Sequence, residues 1–116
     1  MKINKLQQYI WATEFLIQDK KNWTTKEFAR NSKNKEVGIY SADAVKWCLM
    51  GALDYVVDPV GLYTWTTADE RFDVHRFVQQ VAIDQQNVSV TQINDACGHE
   101  AVLNLLNQSF IEAGKK

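Results

Sequence analysis

Proline occurs once in the 116 residues, at Pro59, and glycine five times. That scarcity argues against a sandwich of many short strands joined by tight turns. Two cysteines, Cys48 and Cys97, make no disulfide framework, and free thiols suit a reducing compartment. Charge of one sign is missing too. Thirteen Lys and Arg stand against fourteen Asp and Glu, a net charge of −1. There is no overall basic footprint for a nucleic-acid backbone, and the acidic balance is too weak for a DNA mimic. No apolar run approaches the length that spans a bilayer. In the opening stretch MKINKLQQYIWATEFLIQDKK, Gln7, Gln8 and Glu14 break any signal-peptide core, and no small-residue cleavage site follows. The expectation is a soluble cytoplasmic protein, not bound to membrane. A glycine-rich phosphate loop, a serine elbow and an H-E-x-x-H helix are all missing.

What is present is an ordinary globular composition, 46% hydrophobic and 23% charged, rich in Trp, Tyr and Phe. The length fits one domain over residues 1–116, burying roughly two-thirds of the surface of its unfolded chain. Leu6, Tyr9, Ile10, Thr13, Leu16 and Ile17 recur at helical spacing and predict a first helix from about Ile3 to Asp19. Between Trp23 and Tyr40 two readings stand. Thr24 and Glu27 could form the capping box of a short helix. Alternatively EFAR and EVGI are short strands around the polar turn NSKNK, and Val37, Ile39 and Tyr40 favour this hairpin.

Ser41 is a suitable N-cap with Asp43 in the first turn. From it Ala44, Val45, Cys48, Leu49, Ala52, Leu53 and Val56 make a stripe that predicts a second helix with Cys48 in its middle. Gly51 and Ala52 would let a neighbour approach closely, and Trp47 would point about 100° away from Cys48, toward the hairpin. Residues 58–67, DPVGLYTWTT, read as a loop. Thr66 or Thr67 caps the next helix, whose buried face is Val74, Phe77, Val78, Val81 and Ala82. Val88, Val90 and Ile93 suggest a short extended segment. The last helix is expected over His99–Ala113, lined by Val102, Leu105, Leu106, Ser109, Phe110 and Ala113, with Gly114 as C-cap. The fold class is mainly α: a compact bundle of about four helices with a small β-hairpin between the first two.

Trp23, Ala29, Arg30, Ala44, Val45, Trp47, Cys48, Gly51, Ala52 and Leu53 stand in a distinctive order. Asn94, Asp95, Gly98 and the VLNLL of Val102 to Leu106 follow. This pattern resembles an uncharacterised family of small bacterial and phage proteins, a domain of unknown function marked by Ala-Val-x-Trp-Cys-x-x-Gly-Ala-Leu and a later Asn-Asp turn. The resemblance covers most of the chain except about 54–87. Ile93 stands where that pattern tends to carry Trp, and His99 where a Ser or Thr cap is expected. The resemblance implies a shared fold and an origin in a phage or mobile element. It implies no activity.

One enzymatic hypothesis joins Cys97 or Cys48 to His99 as base, with Asp95 or Asn94 as orienter. Its context is poor: Cys48 would lie some seven residues past its helix cap among apolar neighbours, where a thiol behaves as a small hydrophobe. A metal reading would take Cys97, His99, Cys48 and His75 or Asp95, but C-G-H is one tight pair without a second. His75 otherwise belongs to a polar face beside Arg76. Asn94 and Asp95 read best as an Asx-type turn capping the last helix or holding the hairpin. Lys21, Lys26, Arg30, Lys33 and Lys35, against Glu27, make a basic run that could bind nucleic acid weakly or simply be solvated. Trp23, Trp47 and Trp65 read as core or core-edge residues. Alternatively Leu62, Tyr63 and Trp65 in the Pro59 loop form an exposed cluster and are the candidate partner-binding residues, because aromatics are enriched where proteins meet. The chain is expected to be a non-catalytic interaction or regulatory protein with a protein partner and no cofactor. The alternative is a small cysteine-dependent hydrolase or transferase using Cys97 or Cys48 with His99 and Asp95.

Overall fold

Asn4 opens the first helix, α1 (Lys5–Ile17), with a reciprocal capping box: its side chain accepts from the Gln7 N–H, and Gln7 Oε1 accepts from the Asn4 N–H. Both residues also reach the far end of the chain. Asn4 donates to the Ala113 carbonyl at 2.8 Å and Gln7 to that of Phe110 at 3.2 Å, so the two terminal helices lie together. The computed structural model describes residues 3–62 and 64–116. Tyr63, one of the three expected partner-binding residues, therefore lies outside the described residues.

Two short strands follow, β1 (Ala29–Arg30) and β2 (Lys46–Trp47), paired antiparallel with Ala29 opposite Trp47. β1 falls inside the expected EFAR segment. Of the expected EVGI strand only Glu36 pairs, in an isolated bridge to Arg30. The turn between them is tight because Asn31 Oδ1 accepts from the N–H groups of Lys33 and Lys35, both at 3.0 Å. Pairing with 46–47 overturns the expected start of the second helix. Ser41 forms only a local turn, accepting from the Asp43 N–H at 3.1 Å. The Val45 N–H then goes to the Arg30 carbonyl, which draws the chain into the sheet. Helix α2 (Leu49–Val57) begins eight residues after Ser41, and Cys48 is its N-cap, not a residue of its middle.

α3 (Trp65–Gln86) is capped by Thr64, not by Thr66 or Thr67, and ends at Asn87, which adopts a left-handed φ of 58°. Val88, Val90 and Ile93 are not extended. Ser89 caps a short helix, α4 (Val90–Gln92), and residues Ile93–Cys97 continue as a wider turn of π type. Gly98, at φ 94°, makes the corner into α5 (His99–Ala113), a conformation side-chain-bearing residues rarely adopt. Gly114 is the C-cap of α5 as expected, in right-handed rather than left-handed conformation. The described residues thus form a mainly helical molecule of five helices, one more than expected, with a two-stranded antiparallel sheet.

Ile10 and Ile17 of α1, Leu49 and Leu53 of α2, Val74 and Val78 of α3, and Val102, Leu105 and Leu106 of α5 fill one core. The stripe expected from Ala44 is buried only from Cys48 onward, and Val45 is exposed. Gly51 does allow a close approach, and the neighbour is backbone. A Cβ there would lie 2.2 Å from the Phe28 carbonyl oxygen. No helix among the described residues is long and apolar enough to cross a membrane.

Candidate functional site

Three places in the molecule gather chemistry. The first is built around Asn94, in the wide turn before α5. Its Oδ1 accepts from the Trp23 indole N–H at 2.7 Å and from the Leu49 N–H at 3.0 Å. Its Nδ2 donates to the Thr24 carbonyl at 3.2 Å and to Asp95 Oδ1 at 2.9 Å. An Asn side chain offers two donor hydrogens and two acceptor lone pairs, and all four are used. Asp95 Oδ1 also accepts from the N–H of Lys26, a residue at φ 70°.

The expected role of this pair changes accordingly. Asn94 caps the N-terminus of α2, not α5. The Cys48 Sγ accepts from the Gly51 N–H at 3.3 Å, so two of the four unpaired N–H groups of α2 are satisfied by this cluster.

The structure brings Trp23, Cys48, Asn94, Asp95 and His99 toward one another, yet not as a nucleophile with its base. His99 Nε2 lies 2.7 Å from the Ile17 carbonyl, and its ring packs on Trp23 at 5.2 Å. Cys48 is 8% exposed. Burial pushes its thiol upward from the ordinary value; the N–H groups at the start of α2 pull the other way but act less strongly. Cys97 is exposed and lies beyond the end of the cluster. Among the described residues no three His, Cys, Asp or Glu side chains come close enough to hold a metal ion.

The second place was not foreseen. Asp54 of α2 holds His75 of α3 at 2.7 Å from Oδ1 to Nε2, with Arg71 Nε 3.8 Å from the same oxygen. All three are at least half-buried and join α2 to α3. Asp54 and Arg71 border a cleft of about 560 Å³ whose other wall includes Phe28, Glu36, Ile39 and Tyr40. Nearby, Tyr55 packs on Tyr40 and Trp47, and the Trp47 N–H reaches the Ile39 carbonyl. The signal was faint but present: one carboxylate inside the apolar run LMGALDYVV, and an Arg-x-x-x-His pair one helical turn apart.

The third place is the connection from α2 into α3. Asp58, only 2% exposed, accepts from the Leu62 N–H at 2.8 Å through its side chain and from the Gly61 N–H at 3.1 Å through its carbonyl. Thr64 Oγ1 accepts from the Thr67 N–H. The loop is therefore held at both ends while Val60 and Leu62 point outward. Val60 is 73% exposed, Leu62 65% and Trp65 90%; Phe72, two turns into α3, is 62% exposed. A sequence model of a family of unknown function, DUF6197, matches residues 2–109. The chain belongs to that family. No curated protein and no solved structure matches it.

The DUF6197 match runs through residues 54–87, the part the resemblance left aside. Both the Asp54–Arg71–His75 group and the exposed face of α3 thus lie within the family domain. The basic run is the remaining expected element. Its Arg30 guanidinium is taken up internally, donating to the carbonyls of Asn34 and Thr25, while Lys21 pairs with Asp19 at 3.7 Å. Lys26, Lys33 and Lys35 stay exposed.

Proposed function

We propose that this DUF6197 member is a non-catalytic interaction or regulatory protein that acts in the cytoplasm by binding another protein. A phage or mobile-element origin, and the Ala-Val-x-Trp-Cys pattern as a family hallmark, belong to the same reading. The carrying observation is the surface of Leu62, Trp65 and Phe72. Large side chains left in water raise the free energy of the isolated molecule, and clustered exposed apolar groups mark interaction sites. A loop pinned by Asp58 and Thr64 loses little conformational entropy on association, which favours binding. The test is affinity capture from the native host with wild-type protein and a Trp65→Ala variant side by side. The reading expects a protein retained by the first and lost with the second. Equal retention by both overturns it.

The cysteine-dependent alternative has one observation in its favour: Cys48 stands at a helix N-terminus, where the dipole favours thiolate. Burial works against it more strongly, as the raised thiol shows. Alkylation with iodoacetamide separates the readings. Cys97 is expected to react in the folded protein, and Cys48 only after denaturation. Rapid labelling of native Cys48, abolished by His99→Ala, would bring the catalytic reading forward.

A further inference from the structure

The outer face of α3 names a partner for the surface just described, and this inference rests on that reading. A surface helix normally carries one apolar stripe. α3 carries two. Val74, Val78, Val81 and Ala82 enter the core. Trp65, Phe72 and Ile83 remain exposed, the last at 42%. At about 100° per residue these three fall within about 20° of a single line, opposite Val74 and Val81. The line runs most of the length of a helix of 22 residues, about 33 Å. Beside that line, about 20–40° round the helix, Asp69 and Arg76 flank Phe72, both exposed. Among the described residues neither forms an ion pair within the chain.

We propose that a second copy of this chain docks on that face, α3 against α3, antiparallel about a two-fold axis between Phe72 and Asp73. Rotation about that axis sets Asp69 against Arg76 of the partner subunit and Arg76 against Asp69 of the partner subunit. The two Phe72 rings then meet beside the axis, and each Trp65 reaches toward Ile83 of the partner subunit. The charges choose this arrangement. A parallel pairing in register sets Asp69 on Asp69 and Arg76 on Arg76, which repel. Closed two-fold dimers of this self-complementary kind are the commonest oligomers.

Sedimentation equilibrium over 1 to 500 µM decides it. The wild-type chain is expected at twice its 13.3 kDa mass. Phe72→Glu, at an exposed site, should leave the circular dichroism unchanged and weaken dimerisation by about 100-fold. Asp69→Arg should weaken it by about tenfold, and Asp69→Arg with Arg76→Asp should restore it. A single-chain mass for the wild type at 500 µM overturns the proposal, as does a double variant no tighter than Asp69→Arg alone. If the wild type is monomeric but Trp65→Ala still loses a captured protein, self-pairing fails and the broader binding reading stands.

Discussion

Trp23 and Trp65 belong to opposite regimes of the same molecule. The Trp23 indole donates into Asn94, packs at a tilt against His99 and helps close α2 against the wide turn that precedes α5. Trp65 opens α3 with 90% of its surface in water. In the first region each polar atom of the central side chain has a partner. Such a saturated network fixes a conformation, and it uses the whole hydrogen-bonding capacity of the Asn94 amide. In the second, Asp58 and Thr64 hold the backbone while Val60, Leu62 and Trp65 are not covered. Removing side chains from the first should unfold the protein, and removing them from the second should change only what it binds.

The sharpest way to break that contrast is Asn94→Ala. It strands the Trp23 and Leu49 N–H groups and the Thr24 carbonyl, each costing about 1–3 kcal/mol when buried unpaired. A total loss of roughly 3–5 kcal/mol is expected in urea denaturation. A loss below 1 kcal/mol would mean that water replaces Asn94 and that the cluster is open to ligands after all. Gly51→Ala comes next. Its methyl would collide with the Phe28 carbonyl, and because that neighbour is backbone, the sheet must move away from α2. Overpacking of this kind costs about 1–3 kcal/mol.

How much of this was legible in the sequence follows from the range of the interactions. α5 was readable to its ends, because a stripe from Val102 to Ala113 and a preceding glycine are local signals. The start of α2 was not. Ser41 and Asp43 satisfy every local rule for a cap, but the Val45 N–H finds Arg30 and the strand wins over the helix. The short helix and wide turn over 90–97 were misread for the same reason. Val88, Val90 and Ile93 favour extended chain, while Ser89 capping and the four bonds of Asn94 impose helical turns. Asn94 and Asp95 were expected to cap the last helix or to satisfy backbone groups of the hairpin segment. They do bond the Thr24 and Lys26 backbone there, but the helix that Asn94 caps starts 45 residues earlier. The Asp54–His75 pair was missed because its members come from different helices, and periodicity reports only one helix at a time.

Smaller effects sharpen the comparison at its polar margin. Glu70 of α3 is bonded by Lys5 and by the Tyr9 hydroxyl of α1, and the Lys5 bond is the main reason its carboxyl lies below the ordinary 4.5. A depressed carboxylate contributes its stability fully above the unfolded value and loses it as pH falls through the folded one. Wild type should therefore lose stability relative to Glu70→Gln as pH drops below about 4.5, and the two should run parallel above pH 6. Because Lys5 is exposed, the difference should also shrink in high salt. Parallel curves down to pH 3 would show that the α1–α3 contact owes nothing to this carboxylate.

The smallest effect on stability is expected where the largest effect on binding is predicted. Trp65→Ser removes the most exposed large apolar side chain among the described residues, one that surrenders little on unfolding because it is already hydrated. Surface substitutions of this kind stay within about 0.5 kcal/mol. The Thr64 cap and the Asp58 bonds that place the loop do not involve the indole. Thermal unfolding at a concentration low enough to keep the chain monomeric should thus superimpose on wild type. At high concentration wild type should melt later, because association stabilises the folded state by mass action, and Trp65→Ser should lose most of that increment. If Trp65→Ser instead lowers the midpoint of the dilute protein as far as Gly51→Ala does, the indole is part of the packing. The two tryptophans would then belong to one regime.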